Sequence, residues 1–90
     1  MSIKHLPHTE KALRCLKECG YPLPRIRKAL AILLEQNHED IGMRIGKSRS
    51  AVTNALDMGI GSEETLRAIA RTMGVSVGEL FSDNRRYNEQ

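Results

Sequence analysis

Arg44, Lys47, Arg49, Ser50, Thr53 and Asn54 crowd into one short stretch, and no acid lies between Ile41 and Leu56. Their types suit recognition by hydrogen bonds and charge rather than covalent chemistry. An arginine can donate two bonds to guanine O6 and N7, an asparagine can pair in the same way with adenine N6 and N7, and a serine is permissive. Lysine and arginine neutralise phosphates, which positions a protein on a duplex and supplies much of its affinity. Without a supporting frame, three cations in a row of polar residues describe only a solvated face. Everything therefore depends on what presents them.

Residues 37–58 read as two short helices joined at Gly46-Lys47-Ser48. Asn37 caps the first, with Glu39 and Asp40 in its first turn, both suited to a helix N-terminus. Ile41 and Ile45 face inward, and Gly42 leaves room for close helix approach. Ser48 caps the second helix, over about 49–58. With Val52 and Leu56 turned inward, a 100° step per residue places Ser50, Asn54 and Asp57 on the opposite face, flanked by Arg49 and Thr53. Asp57 reads as a surface residue at the departing end. A helix, a short glycine-containing turn and a second helix make a helix-turn-helix unit, which in DNA-binding versions lays its second helix in the major groove.

The flanking sequence can pack around this pair. Residues 1–8 read as irregular, and Thr9 as the cap of a helix over about 10–19. Ala12, Cys15, Leu16 and Cys19 recur there at helical spacing beside Leu13, and Gly20 ends the run. Tyr21-Pro22-Leu23-Pro24 is a connector into a helix over about 24–36. Its expected buried face is Ile26, Ala29, Leu30, Leu33 and Leu34, and its polar face carries Arg25, Arg27 and Lys28. Ser62 caps a helix burying Leu66, Ile69, Ala70 and Met73, closed by Gly74. Ser76 and Glu79 are spaced as a capping box before Val77, Leu80 and Phe81. Residues 83–90 read as a polar, frayed tail. No strand pattern competes, so the class is all-α.

Ninety residues, 40% hydrophobic and 28% charged, fit one ordinary globular domain with a modest aliphatic core. The net charge of +3 favours an anionic partner only mildly. No apolar run has transmembrane length and no charged-then-apolar leader opens the chain, so a cytoplasmic protein without membrane contact is expected. Two cysteines, Cys15 and Cys19, do not make a secreted disulfide framework and are expected as reduced thiols with a core or interface role.

Residues 25–82 resemble the lambda-repressor/Cro-like (XRE-type) helix-turn-helix family. Gly42, Gly46, Ser48 and Val52 stand at the family's spacing, and the segment from Ser62 to Phe81 is similar to its closing two helices. The resemblance implies a five-helix lambda-repressor-like DNA-binding domain over 25–82, an N-terminal extension over 1–24 with one additional helix, and a tail over 83–90. The chain departs from the family pattern in three places. Gly42 stands where alanine is usual, and Ala55 where a larger aliphatic is common. The turn Met58-Gly59-Ile60-Gly61-Ser62 lacks the basic and asparagine residues that relatives often set on phosphates. Affinity must then come from Arg44, Lys47 and a second subunit.

What the resemblance implies for function is a sequence-specific DNA-binding regulator, a repressor of bacterial or phage type, bound to the major groove of double-stranded DNA as a homodimer. Arg49, Ser50, Thr53 and Asn54 would contact bases; His38, Arg44, Lys47 and Ser48 would contact phosphates. Two interfaces are candidates, the N-terminal helix with Leu13, Leu16, Cys15 and Cys19 and the last helix near Phe81; the first is favoured because the five-helix unit does not need that segment for its core. Ninety residues leave no room for an effector domain, so repression by occupying an operator is expected. An antitoxin-type regulator that also binds a small protein partner is the alternative. Enzymatic activity is not expected, because His5, His8, His38, Cys15 and Cys19 form no nucleophile–base set. Nor does the spacing of His5, His8, Cys15 and Cys19 match structural zinc patterns. No cofactor or metal is implied.

Overall fold

The computed structural model describes the backbone of residues 5–87 and the side chains from Thr9 onward. Six helices follow in order: α1 (His5–Glu18), α2 (Leu23–Leu33), α3 (His38–Ile45), α4 (Arg49–Met58), α5 (Glu63–Met73) and α6 (Val77–Leu80), with a 3-10 turn over Arg85–Tyr87. No strand occurs among the described residues, so the protein is all-α. One aliphatic core holds the helices together, built from Ile26, Leu30, Ile41, Val52, Leu56, Leu66, Ile69, Met73 and Leu80 around the single phenylalanine, Phe81.

Most boundaries follow local chemistry. Asn37 accepts a bond from the Asp40 amide at 2.8 Å, and the Asp40 carboxylate reaches back to the Asn37 amide, closing a capping box. Ser48 and Ser62 accept from the amides of Ala51 and Thr65, each at 3.2 Å. Gly46 and Gly59 sit at φ +71° and +70°, the left-handed conformation that lets each helix end and the chain turn sharply.

Several expectations are corrected. α1 begins at His5, so Thr9 lies inside the helix and is buried rather than capping it. Leu13 is 0% exposed and joins the core, so the extension is part of the same packed unit. Cys15 and Cys19 face solvent, which removes them from the core. Positions 1–4 and 88–90 of the expected irregular leader and tail lie outside the described residues.

The buried face of α2 is rotated from the expected one. It consists of Ile26, Arg27, Leu30 and Ala31, whereas Ala29 is exposed and Leu33 is 57% exposed. The cause is Arg27, expected on the polar face but 0% exposed. Its Nε donates to the Leu56 carbonyl at 2.8 Å and its Nη1 to the Leu80 carbonyl at 2.9 Å. Both terminal nitrogens meet the Asp83 carboxylate at 2.9 Å, and the guanidinium lies 5.0 Å from the Phe81 ring centre. A buried charge is tolerable only when paired and hydrogen-bonded in this way.

The pairing also reaches the end of the chain. Asp83 and Asn84 are docked, the latter donating from Nδ2 to the Gly59 carbonyl at 2.7 Å, so the described part of the expected tail is held against the fold. The capping box expected at the start of α6 is absent. Ser76 makes no side-chain cap bond, and Glu79 is only half-exposed, with one carboxylate oxygen buried and unpartnered among the described residues.

Candidate nucleic-acid interface

The turn between α3 and α4 is unusually close to α3. A Cβ added to Gly42 would come within 2.7 Å of the Lys47 carbonyl oxygen. The amides of Gly46 and Lys47 both donate to the Gly42 carbonyl, folding the turn back over the end of α3. From there Ser48 starts α4, whose inner face, Val52, Ala55 and Leu56, is buried. The geometry of α4 is thus fixed from both sides: by its core face and by the turn beneath Gly42.

That fixing decides what faces outward. Arg49, Ser50 and Asn54 are exposed, and with Thr53 they line one shallow groove. Arg49 also borders a second groove with Asn37, His38 and Glu39, at the start of α3. No hydrogen bond or ion pair within the described residues engages the side chains of Arg49, Ser50 or Asn54, so their bonding capacity is open to a ligand. The four residues expected to contact bases are therefore brought together on one helix.

The residues expected on phosphates are more scattered. His38 Nδ1 lies 2.8 Å from Thr53 Oγ1, a bond whose donor depends on the imidazole tautomer. It ties the first turn of α3 to the middle of α4, and it engages a hydroxyl and a ring that the sequence assigned separately to ligand contacts. Lys47 sits 3.6 Å from Glu64 at the start of α5, a loose pair whose acid is 80% exposed. Such a surface pair is weak and yields readily to a stronger anion. Ser48 is exposed with its hydroxyl accepting the cap bond. Arg44 stands apart, lining a groove with Leu33, Leu34, Glu35 and Gln36 rather than with the α4 residues.

No protein-family model, curated protein or solved structure matches this chain. The chemistry of the surface must therefore carry any functional reading.

Two further cationic pairs border the far end of α4. Arg25 and Lys28, at the start of α2, line a cleft with Pro22, Pro24 and Asp57. Arg85 and Arg86 line another with Ile60, Gly61 and Asn84. No local pattern predicts that residues so distant in the chain converge, because the convergence depends on Arg27 being buried. Elsewhere on the surface, Glu63 holds the Arg67 guanidinium above its ordinary pKa through a 2.8 Å hydrogen bond and its charge. No group of His, Cys, Asp or Glu side chains among the described residues is arranged to hold a metal; the side chains of His5 and His8 lie outside the description. No helix among the described residues is long and apolar enough to cross a membrane.

Proposed function

We propose that the chain is a sequence-specific DNA-binding regulator of the lambda-repressor/Cro-like type, acting as a repressor by occupying an operator. In this reading α2 to α6 form the five-helix unit, α1 is the additional helix, and α4 enters the major groove. The observation that carries it is the two-sidedness of α4. Its inner face is buried against the core, while Arg49, Ser50 and Asn54 stand together outside with side chains that bond no other described residue. A helix held so firmly and presenting those types matches what reading base edges demands. The His38–Thr53 bond supports the same role by fixing the angle between α3 and α4.

A homodimer on two half-sites about one helical turn apart, roughly 34–36 Å, is the arrangement such a unit uses. Of the residues in the two interfaces expected from sequence, Leu13 and Phe81 are fully buried within the protomer, Leu16 is half-buried, and Cys15 and Cys19 beside it are exposed. Exposed apolar side chains remain at Ile32, which is 75% exposed, and at Leu33 and Met43. The same residues favour the second reading, an antitoxin-type regulator that binds a small protein partner as well as DNA. Light scattering with and without operator DNA, followed by co-purification, separates the two.

The deciding experiment is selection of bound duplexes from a random pool, followed by titration of variants on the selected site. Arg49→Ala should relax the preference at one position, a loss of about 1–3 kcal/mol of discrimination. Lys47→Ala should weaken all duplexes alike and lower the salt slope by about one. If selection yields no common sequence, or neither substitution alters binding, the reading is wrong.

A further inference from the structure

Gly59, Ile60 and Gly61, the turn that leaves α4, carry no charge of their own, yet the fold surrounds this end of the helix with cations. Asp57 follows Ser50 and Asn54 at helical spacing, so it belongs to the same outward face of α4. The cleft it lines contains Arg25 and Lys28. Three residues on, Ile60 and Gly61 border the cleft containing Arg85 and Arg86. All four cations are exposed, and none forms an ion pair with a described residue.

Their placement follows from one buried group. Arg27 lies between Arg25 and Lys28 in sequence and bonds the Leu56 carbonyl at the end of α4, which draws the start of α2 to that point. The same guanidinium holds Asp83, and Asn84 bonds the Gly59 carbonyl, which draws the arginines that follow to the other side of the turn. The Arg86 amide in turn donates to Asn84 Oδ1 at 2.9 Å, fixing the backbone between them.

Asp83, the acid nearest Arg85 and Arg86 in the chain, is held by Arg27. Asp57 lines the cleft of Arg25 and Lys28, and no acid among the described residues lines the cleft of Arg85 and Arg86. Among the described residues, four cations and one acid without ion pairs border this end of α4, a balance that favours anions.

We propose that Arg25, Lys28, Arg85 and Arg86 form a phosphate-contacting surface at the C-terminal end of α4, which takes the sugar–phosphate backbone of duplex DNA. The inference rests on the proposed placement of α4 in the major groove. A helix of ten residues is about 15 Å long, comparable with the groove's ~12 Å width. Cations at its two ends then meet the strands on either side. The turn without basic residues is thereby supplied from two other parts of the chain.

The test is a salt titration of the full chain on a random-sequence duplex, read by fluorescence anisotropy. The quadruple variant R25A/K28A/R85A/R86A should lower the slope of log affinity against log salt by two or more, since each lost phosphate contact is worth about 0.9. Its affinity at 0.1 M salt should fall at least tenfold, while its preference for the selected site over the random duplex is kept. K11A/R14A, which removes charge from α1, should leave the slope unchanged. A fall of less than two, or an equal fall per charge in the α1 variant, overturns the inference. A wild-type chain that binds no duplex overturns the functional reading itself, and Arg49→Ala on the selected site tests that reading separately.

Discussion

At the scale of single residues, the surface that matters is set by a side chain that is absent. Gly42 sits in a helix, where alanine would be favoured by up to about 1 kcal/mol. Against that gain stands a methyl group 2.7 Å from the Lys47 carbonyl oxygen, a backbone atom that cannot swing aside. Overpacking of this kind typically costs ~1–3 kcal/mol, so the clash outweighs the propensity. Gly42→Ala should lower stability by about 1 kcal/mol or more in urea unfolding and weaken duplex binding by tilting α4. A more stable variant would show that the turn can retreat by a few tenths of an ångström. Glycine's presence was legible in the sequence, and so was its use for close approach. What it approaches was not, since the turn's path depends on two amides converging on one carbonyl.

Helices are the scale at which sequence is most informative, and the departures fall mainly on α2. Caps at Asn37, Ser48 and Ser62 and the stops at Gly20, Gly46, Gly59 and Gly74 are written in residue type, because each depends only on neighbours in the chain. Faces were legible where apolar residues alone define them, as in α4 and α5. On α2 an arginine is taken as polar from sequence, yet it is the largest buried side chain, and the face turns to admit it. The helix also ends at Leu33, earlier than the expected 36, with no glycine to mark the stop. The chain leaves the helix through Glu35 at φ +55°, with the Gln36 amide bonding the Ala31 carbonyl. A left-handed non-glycine residue costs about 1–2 kcal/mol, and glycine's extra unfolded-state freedom returns roughly half of that. Glu35→Gly should therefore stabilise the protein by ~0.5–1 kcal/mol and raise the melting temperature by about 4 °C in a domain of this size. Calorimetry that finds no rise would mean that the Glu35 side chain makes up the difference.

For the molecule as a whole, the Arg27–Asp83 pair decides how the last segment meets the rest. It joins α2, the end of α4, the end of α6 and the chain beyond, across separations of 29 to 56 residues. No local pattern could reveal it, because each partner alone reads as an ordinary surface charge. Removing one member of a buried ion pair costs ~3–5 kcal/mol when the other is left uncompensated. Here the loss should be smaller for two reasons. Asp83 keeps 30% of its side chain in water, and Arg27 retains two carbonyl acceptors and the Phe81 ring. Asp83→Ala should thus cost about 2–3 kcal/mol. The loss should concentrate at one place, with faster amide exchange at Asn84, Arg86 and Gly59, while the α3–α4 turn keeps its protection. Duplex binding at a temperature where the variant stays folded should show the same division. If α4 reads bases as proposed, the salt slope should fall as Arg85 and Arg86 drift from the turn, while the preference assigned to Arg49 should survive. Uniform loss of exchange protection would instead mean that the pair holds the whole core, with no separate share in placing the last segment.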